Sequence, residues 1–142
     1  MLCKEVLLCL VLCQADPTQQ SLHDETQRER ASRGLALQQL DDELCKLCQR
    51  WAEHMARTGR FAHGGGENVI AYGASTPSGA IRMWLGSPPH RAFLLGGATK
   101  AGWGAARSSS GTWYWAGAFR SEAILVEPTT YRPSRRGIFR RR

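Results

Sequence analysis

Long apolar runs are scarce in this 142-residue chain. The longest, Val6 to Cys13, falls far short of the roughly 20 residues that a helix needs to cross a bilayer. Cysteine is thin over the main body too. Of five cysteines, Cys3, Cys9 and Cys13 crowd into the first fifteen residues, leaving Cys45 and Cys48 as a lone C-x-x-C. No second pair completes a zinc site and no strand precedes the pair, so packing as small hydrophobes is the better account. The three glycines at 64–66 lack the P-loop lysine and the Rossmann spacing, and no H-E-x-x-H occurs. These gaps argue against a nucleotide site, a thioredoxin-like centre and a zincin protease.

Acidic residues vanish from the last segment, where Arg132, Arg135, Arg136, Arg140, Arg141 and Arg142 supply six of the nineteen basic residues. The other thirteen face twelve acidic ones, so the net charge of +7 belongs to the tail. A run containing Arg135, Arg136, Arg140, Arg141 and Arg142 can meet a polyanion or an anionic surface, or can simply be a solvated extension. At the other end, residues 1–15 have the shape of an export signal: Lys4, an apolar stretch, then Cys13-Gln14-Ala15. That places the chain outside the cell or in its envelope, with no transmembrane span. If the segment is no signal, the chain is cytoplasmic. What remains is one domain over 20–122 and a basic, disordered extension over 123–142.

Helix signals dominate the first half. Ser21 with Asp24 resembles a capping box and Gly34 a helix end, which predicts a helix over 22–33. Asp41 or Asp42 caps a second, whose Leu44, Cys48, Trp51 and Met55 recur at helical spacing, flanked by Leu47 and Ala52, up to Gly59. Residues 67–72 predict a turn of helix ending at Gly73. Ser75 or Thr76 before Pro77 starts another, with Ala80, Met83 and Trp84 inward, and Ser87-Pro88 starts a short one to Leu95.

Past Gly97 the period alternates. Residues 101–107, a Ser108–Gly111 turn and Trp113, Trp115, Gly117 and Phe119 make an antiparallel hairpin with an aromatic face. Residues 124–126 suggest one more strand. The fold class is α+β, with helices packed on a small antiparallel sheet.

Several motifs stand in a telling order: Trp51-Ala52-Glu53-x-Met55, Phe61-x-His63, Gly66-Glu67-Asn68, Ala80-x-x-x-Trp84, Ser87-x-x-His90-Arg91, Leu94-Leu95, Gly102-x-Gly104, and Tyr114-Trp115 to Phe119. Over about residues 26–119 this resembles a CAP domain, the superfamily of cysteine-rich secretory proteins, antigen 5 and pathogenesis-related type 1 proteins, in its short bacterial form. The resemblance implies an α-β-α sandwich, secretion, and a central cavity lined by two histidines and two acids. Carried over, these become His63, Glu67 and His90, while the fourth position falls on Ser87. The first-helix His-Asn of the family falls on Thr26-Gln27, with Arg30 at the usual arginine, so His23 is not the family histidine. The loop between His63 and Glu67 is unusually short.

His63 and His90 are candidate ligands for zinc or another divalent cation, with a position left for water or ligand. A helix start near His90 would favour its neutral, metal-binding form. Glu67 could hydrogen-bond one of these imidazoles, or act as general base in a metal-dependent hydrolase. A buried polar network tying loops to helices is the structural alternative.

Asn68 caps or bridges the loop, Arg91 pairs with a carboxylate or a carbonyl, and Ser87 caps its helix. His23 and His54 are expected in solvent. The five tryptophans belong to the core, with a sugar-facing role left open for Trp113. Three functions follow: a non-enzymatic module binding an unknown ligand or protein at the cavity, a hydrolase using Glu67, or a polyanion binder through the tail.

Overall fold

The computed structural model describes residues 16–122. The signal segment, the 124–126 strand and the arginine tail lie outside those residues. Helix α1 (Pro17–Ser32) begins ahead of the expected start at Leu22. Its cap is Asp16, whose side chain accepts the Thr18 N–H at 2.8 Å while the Gln19 side chain accepts the Asp16 N–H at 3.2 Å. Ser21 is interior to the helix and turns its hydroxyl back onto the Pro17 carbonyl. Helix α2 (Asp42–Thr58) has the predicted limits: Asp41 accepts the Leu44 N–H at 2.9 Å, and Gly59 closes it at φ +69°. Two strands flank α2, β1 (Gln39–Leu40) and β2 (Val69–Tyr72).

Strand β2 corrects the helical turn expected over 67–72. Two β-branched residues open it, and its backbone pairs in full with the last strand. Helices α3 (Pro77–Leu85) and α4 (Pro88–Leu94) follow, then the hairpin β3 (Lys100–Arg107) and β4 (Trp113–Arg120). The sheet order is β1-β3-β4-β2, parallel only between β1 and β3.

The hairpin separates two chemically different faces. Ala101 faces Phe119, Trp103 faces Gly117 and Ala105 faces Trp115 across the pair. This is the bulky face, which packs with Leu22 of α1, Ile81 and Trp84 of α3 and Leu94 of α4. Trp103 lies edge-on to Phe119, 5.3 Å between ring centres, and stacks on Trp84 at 5.9 Å. The other face pairs Gly102 with Ala118 and Gly104 with Ala116. It is nearly bare, and α2 lies directly on it through Cys48, Met55 and Ala52.

The approach is so close that a Cβ on Gly102 would sit 2.2 Å from the Leu44 Cβ, and one on Gly104 2.2 Å from the Cys48 backbone. The result is three layers: α2, the sheet, then α1, α3 and α4. Met83 departs from expectation. It is 48% exposed, and Ile81 takes its place inward.

Two polar groups hold α1 in place. Arg30 is buried and donates to the carbonyls of Ala36, Leu94 and Gly96. His23, expected in solvent, is 7% exposed. Its Nδ1 accepts the Trp103 Nε1–H at 3.4 Å, and the ring also bonds the Gln38 backbone. Burial holds its pKa below the ordinary 6.5, against the smaller opposing pulls of Asp24 and the Gln38 carbonyl. The folded state therefore binds its proton less well than the unfolded state does. Stability from this group is complete above about pH 6.5 and is lost as pH falls below that toward the depressed folded value.

Two outcomes are expected. Gly104→Ala should cost about 3 kcal/mol or more, since helix backbone rather than a yielding side chain blocks the methyl. Gly97→Ala, with nothing within 4 Å, should be near neutral in the same urea titrations. Loss of stability between pH 7 and 5 should shrink in His23→Gln, followed by denaturation midpoints across that range. An unchanged slope would assign the acid sensitivity to other groups.

Candidate functional site

The loop joining α2 to β2 is laid over Trp51. Its indole Nε1–H donates to the Ala62 carbonyl at 3.0 Å, and a Cβ on Gly65 would fall 2.6 Å from the indole Cγ. Gly64 and Gly66 take φ of +159° and +90°. The second lies in the left-handed region that favours glycine.

Into this loop points the side chain of Glu67, which is completely buried. One carboxylate oxygen accepts from His63 Nδ1 at 2.8 Å and from the Gly64 N–H at 3.2 Å, and the other from the Gly65 N–H at 2.8 Å. An ionised carboxylate only accepts, so the network assigns the hydrogen to Nδ1 and leaves the Nε2 lone pair free on the neutral ring. His63 is itself 55% exposed on its side chain. Glu67 is thus a brace. It fixes the loop and the tautomer of the ring that reaches solvent.

His90 is half-buried in the first turn of α4. Its pKa is lowered, as expected, but the cause is different: burial comes first, and the positive charge of a protonated His63 second. The charge of His63 thus bears on His90 although 26 residues separate the two in sequence.

Ser87 occupies the N-cap position of α4 but makes no capping bond. Its usual partners are the N–H groups at the second and third helical positions, and the second is Pro89, which has none. Arg91 bonds a carbonyl, that of Leu85, as one of its two expected partners. Asn68 bridges as expected: its Oδ1 accepts the Phe119 N–H at 2.7 Å and Arg120 Nη1 at 2.8 Å.

Arg120 escapes notice in the sequence because it follows the last aromatic of a strand pattern. It also donates to the Gly66 carbonyl, tying the glycine loop to the end of β4. Trp51 reads as core from its spacing, yet it is the platform for the loop. His54 is not free in solvent either. It stacks on Trp51, 4.7 Å and 15° apart. Trp113 stacks on Trp115 at 5.3 Å and packs against the aromatic core.

The donor set is short of a zinc site. Both Glu67 oxygens are taken by loop donors, Ser87 stands where a second acid would help, and two imidazoles are fewer than the three or four protein ligands such sites use. Among the described residues no group of three or more His, Cys, Asp or Glu is arranged to hold a metal ion. Cys45 and Cys48 are buried and unbridged, and burial raises both thiols above their ordinary range. They are therefore inert packing groups.

Glu67→Gln should loosen this arrangement. It replaces a triply bonded buried carboxylate, at an expected cost of about 1–3 kcal/mol. The nitrogen shifts of His63 should show the Nδ1–H tautomer giving way to a mixture. An unchanged tautomer would mean that Glu67 does not orient the ring.

No helix among the described residues is long and apolar enough to cross a membrane. A search of the curated proteins found no match. Similar solved structures include an outer surface protein from Borrelia burgdorferi, with TM-score 0.60 and 16% identity, covering 76% of this chain and 97% of that one. An extracellular SCP-domain protein from Bacillus anthracis aligns with TM-score 0.56 and 20% identity, over 73% of this chain and 40% of that one. Venom allergen-like protein 4 of Schistosoma mansoni aligns with TM-score 0.58 and 10% identity, over 76% and 91%.

Likeness at such identities shows the fold, the expected α-β-α sandwich. The family model for cysteine-rich secretory proteins, CAP, matches residues 23–119, most of the chain, and the protein belongs to that family.

Proposed function

We propose that this protein is an extracellular or envelope-located, non-enzymatic binding module whose recognition surface is built around His63 and His90. The observation that carries this reading is the burial of Glu67 with both oxygens committed to His63, Gly64 and Gly65. A general base must reach a substrate or its water, and a carboxylate held by three donors inside a loop does not present itself to either. What reaches solvent is an imidazole with a fixed Nε2 acceptor, and the half-buried His90 takes up a proton less readily than a free imidazole, through burial and the charge of His63. Such a pair suits hydrogen-bond donors on a protein or small-molecule ligand. Placement outside the cell is supported by the export-like first residues and by the extracellular and outer-surface character of two structural relatives.

Two measurements test the reading. Across a panel of esters, peptides and glycosides, turnover should show no dependence on Glu67. Hydrolysis that disappears in Glu67→Gln while the fold persists would overturn it in favour of a hydrolase. Zinc titrated into the purified chain should bind no tighter than about micromolar, as expected for two imidazoles without a charged ligand, and His63→Ala or His90→Ala should abolish it. Nanomolar retention of zinc would instead make the pair part of a complete metal centre.

A further inference from the structure

The outer face of α2 carries a cleft of about 390 Å³ bounded by Leu47, Arg50, Trp51, His54, Arg57 and Gly65. Arg50 and Arg57 are seven residues apart, so they share one helix face at an axial separation of about 10 Å. Neither guanidinium has a carboxylate partner among the described residues. Glu53 also lines the cleft and keeps its negative charge, one oxygen accepting from the Gln49 amide at 3.0 Å, so the two guanidiniums outnumber a single carboxylate there.

Arg57 is positioned by an imidazole instead, with its Nη2 3.4 Å from His54 Nδ1. His54 in turn stacks on Trp51, which the Ala62 carbonyl pins. One cation is therefore oriented without being neutralised, and a second stands two turns away. The helix dipole accounts for a cation near the C-terminus, such as Arg57, but not for Arg50 in the middle.

We infer that this cleft binds an acidic carbohydrate, one disaccharide unit carrying sulfate or phosphate groups about 10 Å apart that the Arg50 and Arg57 guanidiniums grip at either end. Guanidinium forks match the oxygens of such esters, and the volume suits a pair of sugar rings better than a flat lipid surface. The cleft shares the Trp51 ring and the Gly65 backbone with the loop that carries His63, but Arg50, His54 and Arg57 play no part in the His63 and His90 reading, so variants at these three test the cleft alone.

Sucrose octasulfate titrated calorimetrically into the full chain provides the test. One molecule should bind per chain. Arg50→Gln and Arg57→Gln should each weaken binding about 10-fold, and Arg50→Lys should do so by less. His54→Ala should weaken it through the loss of Arg57 positioning. Arg28→Gln, on α1 and paired with Glu25, should change nothing, and a chain ending at Arg132 should bind as well as the full one.

Undiminished affinity in the folded Arg50→Gln/Arg57→Gln double variant would overturn the proposal. So would equal losses from Arg28→Gln, disappearance of binding with the tail, or tighter Arg50-dependent attachment to phosphatidylglycerol vesicles than to the sugar.

Discussion

Everything in this domain follows from how closely α2 lies on the hairpin. Four small residues, Gly102, Gly104, Ala116 and Ala118, form the surface that receives it, and at the two glycines helix backbone occupies the space where a methyl would be. Dispersion falls off quickly with separation, so this contact gains from every tenth of an ångström and tolerates little intrusion. The opposite face of the same strands behaves in the reverse way. Trp103, Trp115 and Phe119 fill the space beneath three helices, with Trp103 resting over Gly117. One hairpin therefore sets two interlayer distances, narrow on one side and wide on the other.

The site inherits its precision from that placement. Trp51 projects from the middle of α2, and the glycines at 64 and 65 are laid against its ring. Glu67 then draws the loop inward, and Arg120 and Asn68 fasten it to the end of β4. A charged side chain is buried here at substantial desolvation cost, offset by its three hydrogen bonds. The return is geometric. His63 receives a defined tautomer and direction although it sits on an exposed stretch of glycine-rich chain.

Much of this was legible in the sequence, for reasons that differ by element. Helix α2 announced itself because its cap, apolar stripe and terminal glycine all agree. The hairpin was legible in its alternation, and its glycines turned out to be a docking surface. Strand β2 was not, since four residues after a glycine run carry little period of their own and owe their conformation to pairing with β4. The start of α1 was hidden at Asp16-Pro17, which doubles as the boundary of an export-like segment.

At the site, His63, Glu67 and Asn68 came from the family resemblance, carried over motif by motif. The platform under them was not legible, because Trp51 has the period of an ordinary core residue. His23 was misjudged for a related reason. Charged neighbours along a helix say little about which face turns inward, and Trp103 with the Gln38 backbone supplies the partners that permit burial.

The strand order has a temporal side. Strands β1 and β2 come first in the chain but occupy the outside of the sheet, while the central pair, β3 and β4, is the last regular structure among the described residues. A ribosome therefore releases both edges before there is any middle for them to join. Helices made early have an apolar face and nothing to cover it. Closure must wait for the hairpin and then engage partners that lie tens of residues upstream, a topology of long loops that slows assembly. Until β4 emerges, the nascent polypeptide remains pliable.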